Sequence, residues 1–160
     1  MKTIAYLAMD VHARSCTLGH MDEDGTFRGN RRFITSEKNI IDAIKSVKAK
    51  NKFLTMEEGT LSHWAAQVAR TYVIDVIVCD PRENALIFKS PNKKDKVDTR
   101  SLCRLLRLGE LKPVYHTLND DRAIFKASAQ HYLDLRNQLT RLKHKIKAVY
   151  RRWGIINVFT

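Results

Sequence analysis

The chain has 160 residues and a mass of 18.5 kDa, enough for one hydrophobic core with a helical appendage. Its 29 Lys and Arg residues against 17 Asp and Glu residues give a net charge of +12, which favours a polyanionic partner such as nucleic acid. Its longest apolar runs fall short of the ~20 residues of a membrane span, and its three scattered cysteines predict neither a zinc site nor a disulfide framework, so we expect a cytoplasmic protein without membrane contact.

The first third of the chain predicts three antiparallel strands, roughly over residues 3–11, 14–21 and 26–34. The first run, TIAYLAMDV, is apolar except for Asp10, as in a strand that is buried on both faces. Asp24-Gly25 lies between two alternating runs, which is typical of a hairpin turn.

The middle of the chain alternates helices and strands. An amphipathic helix opens at Ser36, and a strand (52–56), a helix (61–70) and a second strand (72–79) follow. Parallel strands joined by helices require right-handed crossovers. Three hairpin strands followed by β-α-β-α-β therefore predict an α/β fold, a mixed sheet of about five strands with flanking helices and with the fourth strand beside the first.

The C-terminal part predicts one long helix from Asp121 onward, with apolar residues spaced alternately by three and four. Such a seam predicts a coiled coil, and we expect a homo-oligomer through this helix. No acid follows Asp134, so the outer faces are basic, and Arg141 and Lys145 are candidate nucleic-acid contacts. The seam consists of Tyr132, Leu135, Leu139, Leu142, Ile146, Val149 and Trp153.

Several acids lie at the carboxyl ends of predicted strands or at the start of a predicted helix. Asp10 is near the end of the first strand, Glu57 and Glu58 close the fourth, and Asp95 and Asp98 share one helix face. In α/β sheets the functional crevice lies at the carboxyl ends of the strands. Converging carboxylates repel one another unless a cation neutralises them, and this ligand type suits Mg²⁺ or Mn²⁺.

Each of these acids also has a purely structural explanation. Asp10 could cap a strand end, and the other acids could stabilise helix N-termini by capping or through the helix dipole. Their joint spacing and basic surroundings favour a metal site that handles phosphodiesters. The surrounding candidate nucleic-acid contacts are Lys93, Lys94, Lys96, Arg100, Arg104 and Arg107.

Three stretches resemble the DEDD transposases, the insertion-sequence recombinases that are related to Piv invertases and guided by a bridge RNA. They are MDVH at 9–12, MEEGTLSHW at 56–64 and KKDKVDTRSLCRLLRLGEL at 93–111. The resemblance implies an N-terminal RuvC-like domain of the ribonuclease-H-like fold. It also implies a catalytic and metal-binding tetrad of Asp10, Glu58, Asp95 and Asp98.

The glutamate of the implied tetrad has two candidates. Glu58 fits the family's spacing to Thr60 and Trp64 better than Glu57 does, whereas strand geometry could favour either residue.

The resemblance further implies a Mg²⁺- or Mn²⁺-dependent transposase or site-specific recombinase that cuts and exchanges DNA strands with a guide RNA. We expect the RuvC-like domain over 1–117 and the coiled-coil helix over 118–160, in a nucleoid-associated protein of a prokaryotic cell. Family members carry a nucleophilic serine in a second domain, which we expect beyond Thr160. The alternatives are a non-catalytic module for nucleic-acid binding and dimerisation, or a stand-alone structure-selective nuclease of the Holliday-junction type.

Overall fold

The computed structural model describes residues 2–83, 99–114 and 120–157. The chain divides into two compact units, Met1–Leu118 and Asn119–Thr160. The first unit contains a five-stranded sheet with helices on both of its faces, and the second contains one long helix.

The sheet has the strand order β3-β2-β1-β4-β5. Strand β1 runs antiparallel to β2 and parallel to β4, and β4 runs parallel to β5, so the predicted mixed five-stranded sheet with β4 beside β1 is confirmed. The strands are β1 (Lys2–Val11), β2 (Ser15–Asp22), β3 (Phe27–Ile34), β4 (Ala49–Glu57) and β5 (Asp75–Cys79). The helices are α1 (Glu37–Ser46), α2 (Ser62–Ala69), α3 (Thr99–Leu108) and α4 (Asp120–Arg151).

Two predicted element ends differ from the observed ones. Strand β5 begins at Asp75 rather than at Tyr72, because the backbone N–H of Tyr72 bonds to Ala69 at the end of α2 and so belongs to a turn. Helix α4 ends at Arg151, so the last predicted seam residue, Trp153, lies beyond it.

Helices α1 and α2 cover the first face of the sheet. The side chain of Ser36 caps α1 by accepting a hydrogen bond from the Asn39 N–H (3.2 Å), as predicted for this helix start. Ile40 and Ile44 of α1 and three alanines of α2 then pack against Leu7 and other fully buried residues of β1 and β4. Small residues on α2 let that helix approach the strands closely.

Helix α3 covers the second face of the sheet. Its residues Leu102 and Leu105 are buried against Ala8 of β1 and Cys79 of β5. Because successive residues of a strand point to opposite faces, Asp10 shares the second face with Ala8. Helix α3 therefore lies on the same side of the sheet as the first candidate site residue.

The start of α3 is anchored on β2 and β3. The Thr99 hydroxyl donates a hydrogen bond to Oδ1 of Asn30 (2.7 Å), and Thr99 itself is buried. Gly19 of β2 lies directly beneath this contact, and a Cβ atom there would lie 2.8 Å from both the Asn30 Oδ1 and Thr99 Oγ1 atoms. The absence of a side chain at Gly19 is what allows the helix start to approach the sheet.

We expect Gly19→Ala to destabilise the fold by about 1–3 kcal/mol, the usual cost of overpacking a close contact. The matched control is Gly59→Ala, because a Cβ atom at Gly59 meets nothing within 4 Å. Urea denaturation followed by circular dichroism measures both free energies of unfolding. Equal stability of the two variants would contradict the proposed role of Gly19.

Helix α4 is a long helix whose apolar seam is exposed. Leu135, Leu139 and Leu142 are 50%, 52% and 54% exposed, and Val149 is 58% exposed. The predicted long helix is confirmed, whereas its pairing into a coiled coil stays a prediction. Within the described residues, none of the helices has the length and apolar character to cross a membrane.

Candidate carboxylate site

Two carboxylates meet at the carboxyl ends of the neighbouring parallel strands β1 and β4. Met9 pairs with Met56 in the parallel register, and Asp10 and Glu57 are the next residue on each strand. Both point to the second sheet face, since Met9 and Met56 are buried in the core on the first face. The sheet therefore holds the carboxylates of Asp10 and Glu57 side by side.

Glu57 is the more confined of the two. Its side chain is half-buried, and its buried Oε1 atom has no hydrogen-bond partner among the described residues. Burial raises the pKa of the Glu57 carboxyl above its ordinary value, and the negative charges of Asp10 and Asp80 raise it further. A buried acceptor of this kind, beside two other acids, is costly unless a cation neutralises the charge.

Asp80 is an acid of this site that the sequence analysis did not predict. It follows Cys79, the last residue of β5, which pairs with Glu57 of β4. Its Oδ1 atom accepts a hydrogen bond from the backbone N–H of Arg82 (2.8 Å), and its own N–H bonds to the carbonyl of Lys112 (3.1 Å). The signal was present in the sequence, because Asp80 directly follows the third parallel strand, where the same crevice argument applies.

His12 contacts the Asp10 carboxylate from the turn after β1. Its Nε2 atom lies 3.1 Å from each of the two Asp10 oxygens. The Asp10 side chain is 46% exposed, so one side of this carboxylate faces solvent. The histidine thus orients Asp10 while leaving it accessible to a bound ion.

Glu58, the glutamate predicted as a ligand, lies just past the end of β4 and is exposed. Its backbone N–H donates to the Cys79 carbonyl (2.9 Å), which fixes the chain at the strand end. Strand alternation places the Glu57 side chain, rather than the Glu58 side chain, on the face of Asp10. The role of Glu58 stays a prediction.

The other half of the predicted tetrad, Asp95 and Asp98, lies outside the described residues, as do Lys93, Lys94 and Lys96. Asp98 directly precedes Thr99 in the chain, and Thr99 lies on the same sheet face as Asp10. Within the described ranges, no group of three or more His, Cys, Asp or Glu side chains is arranged to hold a metal ion.

The three predicted arginines of α3 differ in their surroundings. The guanidinium of Arg100 lies over the Phe27 ring, 5.8 Å from its centroid, and Arg104 is exposed. Arg107 packs against the hairpin turn at Gly25, and its buried Nε atom has no hydrogen-bond partner in the described part of the chain. Arg100 and Arg104 are therefore the exposed cations of this row, and Arg107 is partly buried. On α4, the predicted contacts Arg141 and Lys145 are both exposed.

The residues present fit a divalent cation. The carboxylates of Glu57 and Asp10 are hard oxygen donors with excess negative charge, as the raised pKa of Glu57 indicates, and the buried Oε1 atom of Glu57 has no hydrogen-bond partner in the described ranges.

Neutralising Glu57 should stabilise the metal-free chain. A carboxyl whose pKa is raised by folding favours the fold when protonated, and this contribution is lost as the pH rises through the raised value. At pH 7 we therefore expect Glu57→Gln to increase the free energy of unfolding, by less than about 1 kcal/mol because solvent screens part of the repulsion at this half-buried carboxyl.

Thermal unfolding in the presence of a chelator, measured at pH 7 and at acidic pH, checks this expectation. The gain should shrink as the pH falls through the raised pKa of Glu57 and should be absent below the ordinary glutamate range, because wild-type Glu57 is then protonated as well. A Tm at pH 7 below that of the wild type would contradict it. Asp75→Asn, at the opposite end of β5, is the control.

The fold is α/β, and acidic side chains lie at the carboxyl ends of its adjacent parallel strands, the edge at which ligands of such sheets commonly bind. The family model DEDD_Tnp_IS110, described as a transposase, matches residues 7–153. The chain therefore belongs to this DEDD transposase family, and the resemblance noted in the sequence is confirmed. Membership of a transposase family implies that the protein acts on DNA.

The solved structures that resemble the chain include the following two. One is T. thermophilus RuvC in complex with a Holliday junction substrate, with 9% sequence identity, a TM-score of 0.43 and coverage of 69% of this chain and 99% of that one. The other is the ethanolamine utilization protein EutJ from Carboxydothermus hydrogenoformans, with 12% identity, a TM-score of 0.35 and coverage of 52% and 39%. No curated protein matches the sequence.

Proposed function

We propose that this chain is the metal-dependent catalytic domain of a DNA transposase or site-specific recombinase that cuts and exchanges DNA strands with a guide RNA. The observation that carries the proposal is the pair of carboxylates, Asp10 and Glu57, at the carboxyl ends of β1 and β4, with a buried Glu57 oxygen that lacks a partner in the described residues. Family membership supplies the reaction class.

Asp10 and Glu57 would hold Mg²⁺ or Mn²⁺ together with Asp95 and Asp98, and Glu58 is the alternative glutamate. When bound, such ions activate an attacking oxygen and stabilise a leaving one in phosphodiester chemistry. The protein's own residues prepare the site: His12 orients the Asp10 carboxylate, and the strand pairing fixes the spacing between Asp10 and Glu57. The exposed cations Arg100 and Arg104 attract the phosphate backbone towards this face.

Binding of Mn²⁺, followed by calorimetry and by the shift in Tm, tests the site. We expect Asp10→Asn and Glu57→Gln to lose the Mn²⁺-induced rise in Tm, and Asp75→Asn to keep it. The variant Glu58→Gln decides between the two glutamates, because only loss of the true ligand weakens binding. Wild-type protein that binds no Mn²⁺ would refute the metal site.

A binding and dimerisation role is supported by a separate observation, the exposed seam of α4 beside its basic faces. We propose that a second copy of the chain covers this seam, and that Arg141 and Lys145 then contact DNA or the guide RNA. Binding of DNA and RNA that is indifferent to Mg²⁺ and to loss of Asp10 would favour a non-catalytic module. Cleavage of branched DNA by this chain alone would favour a stand-alone nuclease.

A further inference from the structure

A single arginine on the edge strand β3 lies in line with the carboxylate site. Arg32 pairs with Thr17 of β2, and Thr17 pairs with Asp10 of β1. Glu57 of β4 continues the same row across the sheet. At roughly 4.8 Å between neighbouring strands, the backbone of Arg32 is about 10 Å from that of Asp10.

Arg32 points to the same face of the sheet as the carboxylates. Asn30, two residues earlier on β3, accepts its hydrogen bond from Thr99 of α3, which covers the second face. The residues before and after Arg32 face the other way. Phe33 packs against the core beneath α1 and α2, and Arg31 pairs with Leu18 of that same core. Two adjacent arginines therefore lie on opposite faces.

A serine holds the Arg32 side chain in place. The Nε and Nη2 atoms of Arg32 donate hydrogen bonds to the Ser15 hydroxyl, at 3.2 and 3.0 Å. Ser15 opens β2 directly after the turn from β1, so the contact draws the guanidinium towards the end of the sheet where Asp10 lies. Arg32 is exposed, and the two bonds use only two of the five N–H donors of a guanidinium.

We propose that Arg32 is a positioning residue that binds a phosphate flanking the one acted on at the carboxylates. The inference rests on the proposed function. A DNA strand advances about 3.4 Å along the helix axis per nucleotide. The ~10 Å between the backbones of Arg32 and Asp10 therefore corresponds to a phosphate within about three nucleotides of the reacting one. The guanidinium edge that Ser15 leaves open matches phosphate oxygens. Arg32 thereby fixes which phosphodiester of the strand lies at Asp10.

The test compares Arg32→Ala with Arg31→Ala, which removes the same charge from the opposite face. A labelled DNA duplex is titrated in Ca²⁺ at several salt concentrations, and the cleavage positions are mapped in Mg²⁺. We expect Arg32→Ala to weaken binding about tenfold, to reduce the salt slope by about one and to spread cleavage over neighbouring positions. Arg31→Ala should retain the wild-type cleavage position and bind within about twofold of wild type. Ser15→Ala should show a weaker form of the Arg32→Ala result.

Equal losses of DNA affinity and of cleavage precision in Arg31→Ala and Arg32→Ala would overturn the inference, since the edge strand would then act through its charge alone. Unchanged binding and cleavage in Arg32→Ala would overturn it as well. Mn²⁺ binding is also measured for the wild type and each variant, so that a failure of the Arg32 inference can be distinguished from a failure of the proposed function. If Mn²⁺ binding is normal and the two arginine variants bind and cleave DNA equally, only the role of Arg32 is refuted. If the wild type does not bind Mn²⁺, the carboxylate site is refuted.

Discussion

Replacement of Asp10 by asparagine in the full-length protein should reduce metal-dependent DNA strand cleavage on the order of a thousandfold or more. The substitution removes one negative charge from the donor set and keeps the size of the side chain. The electrostatic stabilisation of a developing charge by a preorganised site accounts for losses of this size. Gel assays of cleaved strands in Mg²⁺ and in Mn²⁺ measure the effect.

The structure separates this loss from a loss of folding. Asp10 lies beside Glu57 and raises the pKa of its carboxyl, so its neutralisation relieves repulsion between the two acids. The amide oxygen that Asp10→Asn introduces retains an acceptor for His12. We therefore expect a Tm equal to or above that of the wild type. Cleavage at the wild-type rate by a folded Asp10→Asn protein would remove Asp10 from the catalytic set.

Two controls complete the experiment. Asp75→Asn changes the charge by the same amount at the opposite end of the sheet, where Asp75 pairs with Phe53, and should cleave normally. The sequence-based tetrad adds a second expectation: the double variant Asp95→Asn/Asp98→Asn should be as inactive as Asp10→Asn. A fully active double variant would contradict the assignment of those two acids.

Removal of two seam leucines from α4 should convert an oligomer into a monomer. Leu135 and Leu142 are 50% and 54% exposed in the single chain, so a second copy has apolar surface to bury there. Each Leu→Ala substitution in a packed interface costs about 2 kcal/mol or more. Because about 1.4 kcal/mol is a factor of ten, the double variant should dissociate at least a hundredfold more readily.

Sedimentation equilibrium over a range of protein concentrations measures this dissociation. The matched control is Asn137→Ala/His144→Ala, which changes two positions seven residues apart on the side of the helix away from the seam. The control should retain the mass of the wild type. A monomeric wild type, or equal masses of all three proteins at every concentration, would contradict pairing through α4.

The topology of the sheet was predictable because each strand carries a clear local signal. The apolar run through Met9 is typical of a central strand, and the Asp24-Gly25 pair marks the hairpin, in which Gly25 adopts a φ of +89°. The connections between parallel strands through helices are right-handed, and this rule leaves the arrangement with β4 beside β1. Local pattern and chain order are sufficient for this part of the fold.

The choice between Glu57 and Glu58 depends on where β4 ends, which the local pattern does not specify. The two glutamates are adjacent, so a shift of one residue in the strand end exchanges the side chain that faces Asp10. The strand continues through Glu57, and the hydrogen bond from the Glu58 N–H to Cys79 belongs to the exit from the strand. Long-range pairing, rather than propensity, determines this register.

The contacts of α3 were also beyond the reach of the sequence. The amphipathic pattern predicts the helix, but nothing in it selects Gly19 and Asn30 as the anchor for Thr99. That anchor joins residues 69 positions apart, and it depends on the missing side chain of one glycine. The position of Arg32 has the same origin, because two strand registers, β3 on β2 and β2 on β1, together bring it into line with Asp10.

The late place of α3 in the chain has a consequence for biosynthesis. The sheet that it covers is complete once residue Cys79 has been made, yet Leu102 and Leu105 are synthesised more than twenty residues later. During that interval Ala8, Met21 and the aromatic residues beside them on the second face lack their cover. A nascent chain at this stage exposes apolar surface, so slow translation or truncation before α3 should favour aggregation and chaperone binding.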